Sequence, residues 1–241
     1  MIKLYQRVPH FIGSNATPDD LILSEKEQTQ LLKSECWVQE KLDGVAVAIA
    51  WVNRRELAWE LRPPWQGALN GALEHRLDLY MRQRKNALRA LLKPGMILYG
   101  EWLGHRVSVH YPHLSDFFYC YAMRSSDGRY LPLPKVHQLC KNVGLSINEP
   151  LWKGPLESIE ALRKLVGFSQ FSNERMEGLI VKKAHITKGS YCAKWVEPEY
   201  VKIHAGLLSG ERNGIVPTQA SQVWPPSRQR SACESSSPVS S

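Results

Sequence analysis

The chain has 241 residues and carries 31 lysines and arginines against 23 aspartates and glutamates, a formal charge of +8 at pH 7. Its hydrophobic fraction of 43 % is near the globular average of roughly 45 %, which excludes disorder of the whole chain. No apolar run approaches the roughly 18 residues of a membrane span, and the N-terminus lacks the apolar core of a signal peptide.

The five cysteines are scattered and are never spaced C-x-x-C. This pattern gives no zinc-binding signature and favours reduced thiols in the cytoplasm. The pI near 9.3 indicates a polyanionic partner such as a nucleic acid, although many basic proteins with other functions share it.

Two strands are predicted, over 37–41 and 45–52, on either side of a Leu42-Asp43-Gly44 turn. Asp-Gly between β-rich runs is typical of a hairpin or another tight turn. The second run is nearly all apolar, so we expect it to be buried on both faces. Aromatic and branched residues predict further strands over 96–102, 117–123 and 178–182.

Helical spacing of leucines predicts a long helix over 71–92, which Pro94-Gly95 would stop. Its basic residues could line a nucleic-acid groove or form an ordinary solvated face. Shorter amphipathic helices are predicted over 135–143 and 156–166. The mixture of strands and helices indicates an α+β fold.

The composition changes at residue 209. Residues 209–241 hold nine serines and four prolines with no sustained periodicity. Such a segment buries too little apolar surface to offset its ordering entropy. We therefore expect one domain over 1–208 followed by a disordered tail over 209–241.

Lys41 ends the first predicted strand and begins the sequence Lys-Leu-Asp-Gly. A buried lysine costs free energy unless it is paired or deprotonated, so its position calls for a functional reason. The structural alternative is a hairpin whose lysine reaches solvent along its apolar stem.

Two glutamates flank other apolar strands: Glu101 ends one and Glu177 begins another. Strand alternation would send Glu177 to the same face as Leu179 and Val181, with Lys182 on the opposite face. Each glutamate alone could be a strand-edge charge. Together with Lys41 they could converge on one cleft and supply a nucleophile and carboxylates for a divalent cation.

Four segments, EKLDG (40–44), YGEW (99–102), MEGLIVKK (176–183) and AKWVEPEY (193–200), resemble in order motifs I, III, IV and V of covalent nucleotidyltransferases. These enzymes are the polynucleotide ligases and messenger-RNA capping enzymes. The stretch 100–123 and the N-terminal VPHFIGS (8–14) resemble the RNA ligase branch, and Arg62 stands at the motif Ia position. The resemblance covers about residues 5–205.

The resemblance implies a nucleotidyltransferase (ATP-grasp-like) fold, with two mainly antiparallel sheets flanking an ATP cleft and with peripheral helices. It implies an ATP-dependent RNA ligase that needs Mg²⁺ or Mn²⁺ and joins RNA 3′-hydroxyl and 5′-phosphate ends. Lys41 would attack the α-phosphorus of ATP, AMP would pass to the 5′-phosphate, and the 3′-hydroxyl would displace it. Attack requires a neutral amine, and lowering the pKa of Lys41 from about 10.4 to about 7 takes roughly 4–5 kcal/mol.

The same resemblance implies the site residues. Arg62 and Glu101 would hold the ribose, and Tyr121 would stack on adenine, although Tyr119 points the same way on an alternating strand. Glu177 and Glu101 would bind the metal. The full set comprises catalytic Lys41, Asp43, Glu101, Glu177 and Lys194, and nucleotide-binding Arg62, Tyr121, Val181, Lys182 and Lys202.

The chain departs from the family at three points. Ala122 stands where an acidic residue often follows the stacking aromatic. Val196 stands where many members have a second motif V lysine, for which Lys202 is the nearest substitute. Motif V is not followed by motif VI or an OB-fold, which favours an RNA ligase over a DNA ligase or a capping enzyme.

Three alternatives remain: a DNA-joining enzyme, a guanylyltransferase, or a non-catalytic RNA-binding protein that retains the fold. A separate kinase or phosphatase could prepare the RNA ends. His105, His110 and His113 cluster after motif III and could bind a metal, although histidines in strands and loops usually do not.

Overall fold

The framework is a pair of mainly antiparallel sheets. The computed structural model describes residues 2–53, 56–62, 71–185, 192–200 and 213, with only the backbone at 71–74. The helices are α1 (Glu25–Leu32), α2 (Gly71–Gln83), α3 (Lys85–Leu91), α4 (Leu133–Asn142) and α5 (Ile159–Arg163). The strands are β1 (Cys36–Glu40), β2 (Val45–Trp51), β3 (Leu57–Leu61), β4 (Ile97–Trp102), β5 (Phe118–Arg124), β6 (Ser146–Ile147), β7 (Pro150–Lys153), β8 (Gly178–Lys183) and β9 (Cys192–Val196).

The strands form two sheets with the orders β7-β1-β8-β9 and β3-β2-β4-β5-β6. Neighbouring strands run antiparallel except for β5 and β6, which are parallel. The five predicted strands are all present, within a residue or so of their predicted ends. The predicted α+β architecture with two sheets is therefore confirmed.

The turn at 42–44 does not close a hairpin. Strand β1 lies between β7 and β8, whereas β2 lies between β3 and β4 in the other sheet. Both edges of each strand are occupied, so the turn carries the chain from one sheet to the other. Gly44 is required at this crossing because a Cβ there would lie 2.6 Å from the carbonyl oxygen of Trp102.

Strand β2 alternates large and small side chains, and this alternation creates its two different faces. Val45, Val47, Ile49 and Trp51 pack in the core that includes residues of α2, α3 and α4. The alanines between them face the other way, where two belong to a cluster with Tyr5 and Tyr99. The expected burial of both faces is confirmed, and the small residues leave space on the side of the second sheet.

The predicted helix over 71–92 is two helices, because the chain turns at Arg84. The Arg84 guanidinium donates to the Asp116 carboxylate at 2.9 Å, and the Tyr80 hydroxyl donates to the same oxygen at 3.0 Å. Asp116 has a side-chain exposure of only 4 %. At Arg84, therefore, the basic helix forms a structural ion pair rather than a groove for nucleic acid.

Several elements were not predicted. They are α1, β3, β6, β7 and β9. Helix α1 begins with a capping box, in which Ser24 accepts from the Glu27 backbone amide and the Glu27 carboxylate accepts from the Ser24 amide. The helices predicted over 135–143 and 156–166 are present as α4 and a shorter α5.

The predicted tail lies outside the described residues except for Asn213, which is buried. Its side-chain oxygen accepts from the Tyr111 amide at 2.9 Å, and its amide nitrogen donates to the carbonyls of Leu103 and His105, each at 2.9 Å. The expectation of disorder does not hold at this residue, and the domain boundary at 208 stays a prediction. Among the described helices, none is long and apolar enough to cross a bilayer.

Close packing of β8 against β9 makes Gly178 a sensitive position. A Cβ at Gly178 would overlap the backbone carbonyl of Trp195, which cannot move without breaking the ladder. We expect Gly178→Ala to lower the free energy of unfolding, measured by urea denaturation, by about 3 kcal/mol. Gly167→Ala is the matched control, because nothing lies within 4 Å of its added Cβ. Equal stability of the two variants would contradict this packing.

Candidate active site

A cavity of about 220 Å³ lies between the two sheets. Residues of β1, β8 and β9 from one sheet and of β2, β4 and β5 from the other form its wall. Six of the ten predicted site residues line it: Lys41, Arg62, Glu101, Tyr121, Lys182 and Lys194. The fold thus brings together side chains that lie far apart in the sequence.

Lys41 forms an ion pair with Glu177. The Nζ atom donates to Oε2 at 2.6 Å, and the two side chains are 17 % and 4 % exposed. Glu177 comes just before β8, so the alternation that begins at Gly178 does not govern its direction. Leu179 and Val181 lie in the core of the other face, and the prediction that they share a face with Glu177 is wrong.

The protonation of Lys41 in the free protein also differs from the prediction. Burial alone would lower its pKa, but the charges of Glu177, Asp43 and Glu101 outweigh burial and raise the pKa above its ordinary value. Lys41 is therefore an ammonium group held by a carboxylate when the cavity contains no nucleotide. The predicted lowering of its pKa does not arise from the protein alone.

Lys182 is the lysine whose pKa the fold lowers strongly. Burial lowers its pKa to about 8, against the opposing effects of Cys192 and Glu101. Its Nζ donates to the Tyr121 carbonyl at 3.0 Å and lies 4.8 Å from the centre of the Tyr121 ring. This amine combines a hydrogen bond with a cation–π contact inside the cavity.

Tyr121 and Tyr119 both line the cavity, as strand alternation predicts. The Tyr119 hydroxyl is tied to Ser115, where it accepts from the backbone amide at 2.9 Å. The Tyr121 ring meets Tyr5 edge to face, with ring centres 5.1 Å apart. Tyr119 therefore also anchors the loop that precedes β5, whereas Tyr121 is part of an aromatic cluster that includes the N-terminal segment.

Asp43 is buried and does not line the cavity. Its Oδ2 accepts from the backbone amides of Ser108 and Val109, at 2.7 and 3.1 Å, and from the Tyr200 hydroxyl at 3.2 Å. The Asp43 amide in turn donates to the Tyr111 hydroxyl at 2.9 Å. These contacts fix the turn next to Lys41, so Asp43 positions the lysine through the backbone.

The other predicted residues have different outcomes. Arg62 donates to the backbone carbonyls of Tyr5 and Gln6, the second at 3.0 Å, and so fixes the N-terminal segment at the cavity wall. Val181 is fully buried in the core on the far face of β8 and does not line the cavity, so its predicted contact with a nucleotide is not supported. Lys202 lies outside the described residues.

Asn148 is a cavity residue that sequence reasoning missed. It lies between β6 of one sheet and β7 of the other. The Asn148 side-chain amide donates to the Glu40 backbone carbonyl at 2.7 Å, and the Asn148 backbone carbonyl accepts from the Gln39 side chain. No motif marks this asparagine, because its place depends on how two edge strands meet.

Asp20 is a second missed residue. Its Oδ1 lies 3.4 Å from the Lys194 Nζ. Burial alone would raise the pKa of Asp20, but hydrogen bonds from Thr17 and the charge of Lys194 outweigh it and lower the pKa to about 2. The resemblance to RNA ligases at residues 8–14 does not extend to Asp20, so the sequence predicted no role for this aspartate.

The donor groups suit a divalent cation shared with phosphate. Among the described residues, no group of three or more His, Cys, Asp or Glu side chains could hold a metal, so the suggested site at His105, His110 and His113 has no support. Mg²⁺ usually takes one or two carboxylates together with substrate phosphates and water. Glu101 on the cavity wall and Glu177 beside Lys41 fit this pattern.

The two sheets with a cavity between them have the architecture of the nucleotidyltransferase fold. A family model described as RNA ligase matches residues 34–196. The chain therefore belongs to the RNA ligase family. No curated protein matches it in sequence.

The solved structures similar to this chain include three of RNA ligase from Naegleria gruberi. A mutant with ATP and Mn matches at 16 % identity and a TM-score of 0.56, over 82 % of this chain and 62 % of the other. Another mutant, with AMP and Mn, matches at 17 % identity and 0.56, over 81 % and 61 %. The structure with PPi matches at 20 % and 0.55, also over 81 % and 61 %. The chain thus spans about three fifths of these proteins, which share its fold.

The buried amine of Lys182 predicts a stability difference that depends on pH. With a folded pKa of about 8 and an unfolded value near 10.4, the unfolded chain binds more protons between these values, so stability rises with pH there. We expect Lys182→Met to be more stable than the unmodified protein at pH 7, by about 1–3 kcal/mol, and this advantage to shrink as the pH rises above 8.

The measurement is urea denaturation at several pH values between 7 and 9.5. Lys183→Met, at a half-exposed neighbour on the same strand, is the control and should change stability by less than about 0.5 kcal/mol. A difference between Lys182→Met and the unmodified protein that does not vary with pH would show that Lys182 is not buried as described.

Proposed function

We propose that the chain is an ATP-dependent RNA ligase that forms AMP and joins 3′-hydroxyl to 5′-phosphate ends through a covalent lysyl–AMP. The observation that carries this proposal is the contact of Lys41 with Glu177, 136 positions later in the sequence, at a cavity lined by five further predicted site residues. A lysine with a purely structural role would not need the other charged side chains that line the same cavity, which are Arg62, Glu101, Lys182 and Lys194.

In the proposed first step the Lys41 ammonium gives up a proton, for which the Glu177 carboxylate at 2.6 Å would be the acceptor, and the neutral Nζ attacks the α-phosphorus of ATP. The new P–N bond forms as the bond to pyrophosphate breaks. The AMP is then transferred to the 5′-phosphate of an RNA end, and an RNA 3′-hydroxyl displaces it to form the phosphodiester. Phosphoryl transfer of this kind depends chiefly on in-line positioning and charge neutralisation, which the cavity residues would supply.

The remaining residues would bind and orient the nucleotide. Tyr121 would stack on adenine, Arg62 and Glu101 would hold the ribose, and Lys182 and Lys194 would contact phosphate. Lys182 already donates to a carbonyl at 3.0 Å, so it is fixed before the nucleotide arrives. A rigid donor loses less entropy on binding than a mobile one.

Glu177 and Glu101 would hold the Mg²⁺ or Mn²⁺. When bound, the metal would neutralise phosphate charge and draw electron density from the phosphorus. Glu177 would also aim the amine, because its Oε2 holds the Lys41 Nζ at 2.6 Å.

Val196 removes one phosphate ligand that many family members have. Its side chain is buried, and its amide donates to the Ser14 hydroxyl at 2.8 Å. This substitution is the observation that favours the second candidate, a non-catalytic RNA-binding protein. Retention of the Lys41–Glu177 pair favours the ligase.

Reduced cysteines support the expected cytoplasmic location. Cys36, Cys120, Cys140 and Cys192 are buried free thiols in the described part of the chain. The proposed partners are RNA ends with a 3′-hydroxyl and a 5′-phosphate, together with a separate kinase or phosphatase that prepares them.

Lys41→Ala tests the covalent step. We expect the protein, incubated with α-labelled ATP and Mg²⁺ or Mn²⁺, to retain label after denaturation, and Lys41→Ala to reduce it to background because no amine remains to form the P–N bond. Lys183→Ala, at a neighbouring lysine of β8, should label normally. Undiminished label on Lys41→Ala would reject Lys41 as the nucleophile.

Two further comparisons separate the alternatives. Label from GTP but not ATP would indicate a guanylyltransferase, and sealing of nicked DNA in preference to nicked RNA would indicate a DNA-joining enzyme. RNA binding that weakens steeply with salt, without any label, would indicate the non-catalytic protein.

A further inference from the structure

The N-terminal segment forms part of the wall beside Lys194. The Phe11 amide donates to the Lys194 carbonyl at 3.0 Å, and the Lys194 amide donates to the Pro9 carbonyl at 2.9 Å. Residues 9–11 therefore run along β9 like an additional short strand. This arrangement fixes the backbone of Lys194 from outside the motif that contains it.

A series of polar side chains follows the same path. The Lys194 Nζ lies 3.4 Å from Asp20 Oδ1, and Asp20 Oδ2 lies 3.4 Å from His10 Nε2. His10 Nδ1 lies 2.8 Å from the Ser14 hydroxyl, which accepts from the Val196 amide at 2.8 Å. We call these four side chains, Lys194, Asp20, His10 and Ser14, the N-terminal relay. The relay begins at the Lys194 side chain and returns to β9 through the contact of Ser14 with the Val196 amide.

His10 is a neutral member of the relay at pH 7. Its side chain is only 2 % exposed, and burial lowers its pKa to about 4. Nδ1 lies 2.8 Å from the Ser14 hydroxyl, whose oxygen also accepts from the Val196 amide. Nε2 faces Asp20 Oδ2 at 3.4 Å, a packing contact outside hydrogen-bond geometry.

Asp20 holds its position independently of Lys194. Its Oδ2 accepts from the Thr17 amide at 3.1 Å and from the Thr17 hydroxyl at 3.0 Å. The carboxylate is therefore pre-organised beside the lysine, and the lysine does not have to recruit it.

Lys194 needs such a partner. Burial lowers the pKa of Lys194, and the charge of Lys41 acts in the same direction, whereas Asp20 and Glu177 oppose both. The charged or titratable groups that face it are thus Asp20 and His10 from the N-terminal segment, Lys41 from the sheet crossing and Glu177 before β8. Asp20 contributes most among the groups that favour the ammonium form.

We propose that Asp20 is a positioning residue that holds the Lys194 ammonium at the cavity wall for contact with the phosphates of the nucleotide. This inference rests on the proposed function, because it assumes that the cavity binds ATP. The side chain of Asp20 does not line the cavity and acts through Lys194, with the buried His10 ring packed against its other oxygen.

Asp20→Asn tests this role in the full-length protein. The amide is isosteric with the carboxylate and can still accept from Thr17, so the fold is retained. Without the negative charge, Lys194 loses its proton more easily, and we expect the alkaline limb of the rate of lysyl–AMP formation to move to lower pH. The loss in kcat/KM should be about tenfold at the alkaline end of the profile, mainly through KM for ATP, and much smaller at pH 7.

Lys194→Arg in the Asp20→Asn background distinguishes this role from a structural one. A guanidinium stays protonated over the whole range, so the double variant should lose the alkaline decline that the single variant shows. Asp19→Asn, at the exposed neighbouring aspartate, is the matched control and should follow the unmodified protein. A profile of Asp20→Asn identical to the unmodified protein, or a uniform loss at every pH that Lys194→Arg does not correct, would overturn the proposal.

Calorimetric titration with ATP over the same pH range supplies a readout that needs no turnover. A protein that binds ATP but takes no label would reject the ligase proposal, whereas a pH-dependent loss of ATP affinity in Asp20→Asn would still support the role of Asp20. Absence of ATP binding in the unmodified protein would reject both.

Discussion

The contact between Lys41 and Glu177 joins the two parts of the chain on which the site depends. Lys41 lies where the chain leaves one sheet for the other, and its amide still donates to the Gly178 carbonyl at 2.8 Å. Its side chain meets Glu177 at 2.6 Å, so backbone and side chain both fix the amine against the start of β8. Because Asp43 anchors the following turn to the amides of Ser108 and Val109, the lysine has little freedom to leave the cavity.

The lysines of the cavity each have a polar partner before any nucleotide enters. Lys41 has Glu177, Lys194 has Asp20, and Lys182 has the Tyr121 carbonyl. Unpaired buried charges would destabilise the fold by several kcal/mol, so these pairings allow a positively charged cavity to exist in a stable protein. A nucleotide would then exchange contacts with groups that are already oriented, which is how pre-organised sites stabilise developing charge.

Part of the fold was readable from local pattern, and part depended on pairing between distant strands. The aromatic and branched runs identified the strands that cross the middle of each sheet, since such residues are enriched in strands that pack on a core. The short edge strands β6 and β7 have no such pattern, and the break at Arg84 depends on Asp116, which belongs to a different part of the chain. Helix α1 was missed although its capping box, Ser24 to Glu27, stands in the sequence.

Local motifs were enough to name the chemical groups of the site: Lys41, Glu101, Lys182 and Lys194 stand in the four ordered segments, Arg62 and Tyr121 lie between them, and all six line one cavity. The folded protein was needed to show which carboxylate holds which lysine, that Lys182 rather than Lys41 has the strongly lowered pKa, and that Asp20 and Asn148 belong to the site. The physical reason is that residue type fixes what a side chain can donate or accept. Burial and neighbouring charge, which set its protonation and partners, arise only when segments distant in the chain pack together.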